Sequence, residues 1–253
     1  MKIHPSQYSP MHGATTNPLY KEGCLRYISV KHLLTERTDI HPIYKAIGTL
    51  AEERYYSTMD PHEFVTREMH LTYDLGGGVT LTGRADFVTP TKVIETKASI
   101  SPTKRAMWRK GQPDPSQLGQ LVTYMLVLDR AEGELNCSYV HFGKDGTTLG
   151  FETTSFAVQA DASGRLTLNG AEIDLTAFDV MAFYKAAQDA LVGAELPPMP
   201  MTQKPCQTCT FREVCSSYPQ GREEFHRQVK HVIDRGFDAV GAPDPTIKRH
   251  DRK

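Results

Sequence analysis

Two short stretches decide the reading of this chain: Gly83-Arg84-Ala85-Asp86 and, nine residues beyond its aspartate, Glu95-Thr96-Lys97. Residues 79–88 and 92–98 have strand composition and are split by Thr89-Pro90, so they are expected to be consecutive strands. Alternate residues of a strand share a face, which places Glu95 with Lys97 and turns Ile94 and Ala98 to the other side. Asp86 stands near the end of its own strand, and a hairpin brings it beside Glu95. Two carboxylates and a lysine on a buried strand pair are costly unless something offsets the charge. A hard divalent cation with oxygen ligands, Mg2+ or Mn2+, offsets it. Bound by Asp86, Glu95 and the Thr96 carbonyl, such an ion activates water and stabilises charge developing on a phosphodiester. Lys97 is then placed to orient or deprotonate that water.

Outward from this centre the pattern is that of a mixed α/β core. Residues 43–56 carry apolar side chains at helical spacing, and Asp60-Pro61 ends them. Residues 63–73 alternate as a strand, followed by the turn Gly76-Gly77-Gly78. Asp114-Pro115 opens a helix as N-cap and first helical residue, with an apolar stripe of Leu118, Leu121, Val122, Met125 and Leu128. Beside that stripe, Gln117, Gln120 and Tyr124 form a polar one suited to DNA phosphates and sugars. Residues 138–156 read as a hairpin around Lys144-Asp145-Gly146, and 175–196 as a long amphipathic helix stopped by Pro197-Pro198. Residues 222–234 form a further helical stretch, while the first 20 residues read as irregular and 241–253 as a disordered tail.

The composition, 39% apolar and 23% charged over 253 residues, is that of an ordinary globular chain. No apolar run is long enough to span a bilayer, and the first residues lack the apolar core of a signal peptide, so a cytoplasmic protein without a membrane partner is expected. A net charge of −1 excludes a supercharged polyanion binder but leaves room for a local basic surface. Residues 92–110 hold six basic side chains against Glu95 alone, with Trp108 among them. A loop carrying Lys104, Arg105 and Trp108 is expected to guide a DNA strand, a base stacking on the indole.

Five cysteines in a chain with no export signal point to metal or redox use rather than disulfides. Cys206, Cys209 and Cys215 are spaced C-x2-C-x5-C, and Cys24 lies far upstream. Four thiolates suit zinc or a [4Fe–4S] cluster, and the isolated Cys24 argues somewhat against zinc. Cys137, at the start of a strand, reads as a small buried hydrophobe.

Asp86, Glu95-Thr96-Lys97 and Gln120-Leu121-Val122-Thr123-Tyr124 resemble the D…E-x-K…Q-x-x-x-Y series of the RecB-type PD-(D/E)xK nucleases. The resemblance runs from about Gly23 to Cys215 and implies an α/β restriction-endonuclease-like core, a mixed sheet flanked by helices, with metal-dependent DNA cleavage. The family carries an upstream G-x-x-H followed by glutamate, and the matching stretch is Gly48-Thr49-Leu50-Ala51-Glu52-Glu53, with alanine for the histidine. Glu52 is the candidate to substitute, although Ala51 is the position that faces inward by periodicity. The cysteines resemble those of the iron–sulfur subgroup, which includes the AddB nuclease domain and CRISPR-associated RecB-like exonucleases. There an early cysteine, often in C-P-R, joins a C-terminal trio, and Cys24-Leu25-Arg26 matches except for the proline. This implies a single nuclease domain over 1–217, stapled by a [4Fe–4S] cluster on Cys24, Cys206, Cys209 and Cys215, with a helix and tail over 218–253. The function implied is a divalent-metal-dependent exonuclease acting on DNA ends or single strands, in recombination or in CRISPR- or virus-related processing beside other proteins of those systems. A DNA-binding scaffold subunit with a weakened site and a zinc-stabilised endonuclease are the alternatives.

Overall fold

Pairing between strands far apart in sequence organises the chain. The computed structural model describes residues 1–5, 42–60, 62, 65–143, 148–193, 214–215 and 222–235. In chain order the elements are β1 (Lys2–Ile3), α1 (Pro42–Tyr56), β2 (Thr66–Gly76), β3 (Val79–Val88), β4 (Lys92–Ser99), α2 (Pro102–Arg109) and α3 (Pro115–Val127). There follow β5 (Glu132–Phe142), β6 (Leu149–Ala160), β7 (Arg165–Leu168), β8 (Ala171–Thr176), α4 (Ala177–Val192) and α5 (Arg222–Arg235). One compact unit comprises Met1–Pro10 and Asp39–Lys185, and a second comprises Met11–Thr38 and Ala186–Lys253.

The first unit is built on a mixed eight-stranded sheet in the order β1-β3-β4-β5-β6-β7-β8, with β2 on the other edge of β3. Strands β1 and β3 run parallel, as do β4 and β5, and the other pairs are antiparallel. The β2–β3 turn works because Gly76, Gly77 and Gly78 all take positive φ, which glycine adopts without a side-chain clash. The parallel β4–β5 pair needs a crossover, and α2 and α3 supply it.

Register assigns the two faces. Phe87 pairs with Ile94 and Ile94 with Glu134, so these three share one face. There α1 docks: Tyr55 and Tyr56 lie against the Phe87 ring, and the Tyr55 hydroxyl donates to Glu134 Oε1 at 2.9 Å. Glu95 pairs with Leu135 on the opposite face, together with Gly133. Here α3 presses down so closely that a Cβ at Gly133 would lie 2.5 Å from Met125 Sδ. In the second unit, Phe225, Gln228 and Val229 of α5 are buried, a one-sided face at helical spacing.

The helices expected over 43–56 and 222–234, the α3 start and the strands 79–88 and 92–98 are present within a residue or two. The strand expected over 63–73 begins at Thr66 and runs into the glycine turn. The basic stretch taken for a loop is helix α2, started by Pro102 at its first turn. The helix expected over 175–196 begins at Ala177, since Leu175 and Thr176 complete β8, and it ends at Val192. The N-terminus departs most: Lys2 and Ile3 form β1 beside Thr80 and Leu81, and the Met1 ammonium donates to Gly78 O at 2.7 Å. Two residues carry no periodicity, so only the partner strand reveals β1. The Lys144-Asp145-Gly146 turn, the rest of the first 20 residues and the 241–253 tail lie outside the described residues, although β5 and β6 do pair as a hairpin. Among the described residues no helix is long and apolar enough to cross a membrane.

Asp114 caps α3 by accepting from the Ser116 N–H at 3.0 Å and takes Lys104 Nζ at 2.7 Å. Burial alone raises its pKa, but the bonds from Lys104 and Ser116 outweigh burial and hold it below the usual aspartate value. Asp114→Ala is expected to cost about 1–2 kcal/mol in urea unfolding at pH 7. Because the folded pKa is lowered, that advantage is complete above the unfolded aspartate pKa and fades as pH falls through the folded one. Equal midpoints for variant and wild type at pH 7 contradict the cap.

Candidate active site

Strands β3 and β4 pair only at Phe87–Ile94 and Val88–Val93. The next step of that register sets Asp86 opposite Glu95, but there the ladder stops. Thr96 is buried, and its N–H and hydroxyl both donate to Asp86 Oδ2, at 2.7 and 2.8 Å. A side-chain carboxylate thus takes the N–H bond that a neighbouring backbone carbonyl would take in a continued ladder, and the Thr96 hydroxyl as well. The sheet opens at this point, and Asp86 spans the gap.

Glu95 is 1% exposed, and its two oxygens are treated differently. Lys97 Nζ and Gln120 Nε2 both donate to Oε1, the latter at 2.9 Å. Oε2 is buried with no hydrogen-bond partner. Burial, with the charges of Asp86 and Glu52 adding to it against Lys97, pushes the Glu95 pKa up to about 8. Burial pulls the Lys97 ammonium down, but Glu95 and Asp86 outweigh it and hold that group above its ordinary value. Gln120 Nε2 also donates to the Tyr124 hydroxyl at 3.0 Å. Burial and the charge of Glu95 push Tyr124 up to about 12, so it stays a neutral phenol. Gln120 and Tyr124, expected on spacing to contact DNA, face inward from α3, where Gln120 holds one oxygen of Glu95 and Tyr124 accepts from Gln120.

Ala51 of α1 is buried, as its periodicity predicts, and Glu52 beside it is half-buried. Desolvation raises the Glu52 pKa, and Asp86 and Glu68 raise it further against Arg84 and Lys97, so it shares the electrostatic neighbourhood of the two carboxylates. Among the described residues no three His, Cys, Asp or Glu side chains converge as a metal cluster. A buried carboxyl oxygen with no hydrogen-bond partner, next to a second carboxylate, fits a divalent cation, because ionising it there is costly unless a charge pairs it.

The expected strand guide is corrected. Trp108 is 2% exposed in α2, so its indole is unavailable to a base. Lys104 is held by Asp114, while Arg105 and Arg109 both donate to Glu152. Those arginines pull the Glu152 carboxyl down to about 2. Arg105 also lies over the Tyr139 ring, 4.9 Å from its centre. Gln117 is half-buried, and its Oε1 has no partner. Cys137 is fully buried and its thiol is pushed up to about 12 by burial, as a small hydrophobe requires. Cys24, Cys206 and Cys209 lie outside the described residues, and Cys215 is half-exposed.

Spacing gave no sign of the support behind Tyr124. A Cβ at Gly83 would lie 2.9 Å from Tyr124 Cε1 and 2.9 Å from Pro5 Cδ, so the glycine of G-x-x-D makes room for the ring. Thr123 Oγ1 bonds the Tyr184 hydroxyl at 3.0 Å, which donates on to the Pro5 carbonyl at 3.2 Å. The one legible signal was Gly83 itself, three residues before Asp86.

Residues 30–216 match the PD-(D/E)XK nuclease superfamily. The chain belongs to that superfamily and is accordingly a metal-dependent nuclease, a class that uses divalent ions such as Mg2+ or Mn2+. Among solved structures, an alkaline exonuclease from Laribacter hongkongensis, LHK-Exo, is 18% identical, covering 75% of this chain and 89% of its own, with a TM-score of 0.45. Its complex with dAMP gives 0.47 at the same identity and coverage. A phage-related exonuclease from Haemophilus somnus 129PT is 12% identical over 76% of this chain and 93% of its own, at 0.45. No curated protein matches the sequence closely enough to count as a relative.

Two outcomes test this geometry. In the metal-free protein a raised Glu95 pKa contributes stability present below the unfolded value of 4.5 and lost as pH rises to about 8. The stability of Glu95→Gln relative to wild type is therefore expected to grow across that window, by up to about 1.4 kcal/mol per pH unit, and to be flat on either side. A constant difference from pH 4 to 9 in thermal melts refutes it. Gly83→Ala is expected to cost about 1–3 kcal/mol by overpacking against Tyr124 and Pro5. Unchanged stability and activity would show that the ring gives way freely.

Proposed function

We propose that this nuclease is a DNA exonuclease that acts on ends or single strands. The observation that carries the catalytic reading is the divided Glu95 carboxylate, with Oε1 held by Lys97 and Gln120 and Oε2 buried without a donor beside Asp86. Asp86, Glu95 and the Thr96 carbonyl are the residues proposed to hold Mg2+ or Mn2+. When bound there, the ion supplies Lewis acidity for phosphodiester hydrolysis. Lys97 holds its proton against Glu95 and stands ready to orient the attacking water and stabilise negative charge on the phosphate. Gln120 keeps the Glu95 carboxylate in one orientation, and Tyr124 anchors Gln120. Glu52, approaching from α1, is proposed as the residue that takes the place left by Ala51.

The C-x2-C-x5-C spacing of Cys206, Cys209 and Cys215, with Cys24 as the fourth thiolate, supports a structural [4Fe–4S] cluster. The resemblance to iron–sulfur nucleases favours a place in recombination or in CRISPR- or virus-related DNA processing. The protein is proposed to work in the cytoplasm.

An end-labelled time course on single- and double-stranded DNA with Mg2+ or Mn2+ tests the reaction. Cleavage that releases mononucleotides or short products from ends is expected, and Lys97→Ala should slow it by a factor of about 100 or more. Internal cuts without end dependence contradict the exonuclease mode, and undiminished cleavage by Lys97→Ala contradicts the site. Protein purified without oxygen should absorb near 400 nm and lose that band in Cys24→Ala, whereas a colourless zinc-containing protein contradicts the cluster.

A further inference from the structure

Arg84 and Glu68 stand beside the site, and neither has a part in the chemistry above. Arg84 lies two residues before Asp86 on β3 and shares its face. On β2, Arg67 pairs with Phe87 and Met69 with Ala85, which sets Glu68 across from Asp86. Arg84 Nη1 and Glu68 Oε1 are 3.1 Å apart, with side chains 52% and 53% exposed. The backbone of Glu68, near the start of β2, has φ 51°, the left-handed region. Non-glycine residues persist in that conformation where their surroundings hold them, and such positions gather at ligand clamps. Both charges act on Glu52 together with Asp86 and Lys97, so the pair belongs to the same electrostatic neighbourhood.

A phosphodiester entering here meets the carboxylates of Asp86, Glu95, Glu52 and Glu68. Lys97 is already bound to Glu95, and Lys104, Arg105 and Arg109 are committed to Asp114 and Glu152. Arg84 is different, since its partner is exposed and a solvated ion pair binds weakly. A guanidinium matches a phosphate through two parallel hydrogen bonds, so phosphate competes well with Glu68.

We propose that Arg84 binds a backbone phosphate of the DNA strand being cut, and that Glu68 holds the guanidinium within reach until DNA arrives. The proposal rests on the nuclease reading of the Asp86–Glu95 site. Its test is anisotropy of a labelled single-stranded oligonucleotide at several salt concentrations, with Ca2+ replacing Mg2+ so that the strand stays intact. Arg84→Gln is expected to bind about tenfold more weakly and to reduce the slope of log affinity against log salt by about 0.7, one released counterion. With Mg2+ it should raise KM far more than it lowers kcat. Arg84→Lys should recover the slope but only part of the affinity. Glu68→Gln should bind more tightly than wild type, and this variant carries the test should Arg84→Gln not fold. An unchanged salt slope in Arg84→Gln, with wild type cleaving normally, overturns the phosphate contact. Unaltered binding by Glu68→Gln overturns the holding role. Failure of wild type to cleave DNA overturns the nuclease reading instead.

Discussion

The carboxylate of Asp86 bonding to the Thr96 backbone and hydroxyl is the constraint on which the site depends. Two strands that part inside a sheet leave backbone groups needing partners, and Thr96 is buried where water does not easily serve it. By taking both Thr96 donors on one oxygen, Asp86 makes the parting of β3 and β4 tolerable. The same bonds fix Asp86 beside Glu95, which the register sets opposite but the ladder does not reach. A continuous hairpin would satisfy its own backbone and leave Asp86 without the Thr96 N–H to bind. The opening in the sheet and the placement of the first carboxylate are one event.

Burial then sets the electrostatics. Glu95 would be an ordinary carboxylate on a solvated strand, but α3 covers it and desolvation dominates its titration. Helix α3 compensates on one oxygen through Gln120 and leaves the other without a donor. That asymmetry gives the carboxylate a direction. Gly83 leaves room for the Tyr124 ring, and Thr123 bonds through Tyr184 to the Pro5 carbonyl. Residues at the start of the chain therefore brace the polar face of α3.

The basic run over 92–110 shows how charge counts and charge function separate. Its lysines and arginines are present as the sequence lists them, yet Lys104 secures an N-cap and Arg105 and Arg109 clasp Glu152. Trp108 is core. The exposed cation nearest in sequence to Asp86 is Arg84, which sits outside that run.

By itself the sequence determined the α/β class, the strands carrying Asp86 and Glu95-Thr96-Lys97, and the α3 helix with its Asp114 cap. These follow from local rules: alternation along a strand, 3.6-residue periodicity and N-cap chemistry, all legible within about ten residues. Glu95 and Lys97 meet because their side chains leave the same face, a relation fixed by a spacing of two. Tertiary structure alone decided which way Gln120 and Tyr124 point, since a polar stripe on a helix fits solvent and a buried carboxylate equally well. It decided that Trp108 faces the core, and that Lys2 and Ile3 complete a sheet with residues nearly eighty positions away. Those outcomes depend on what packs over each residue, and packing partners distant in sequence leave no periodic mark on the segments they cover.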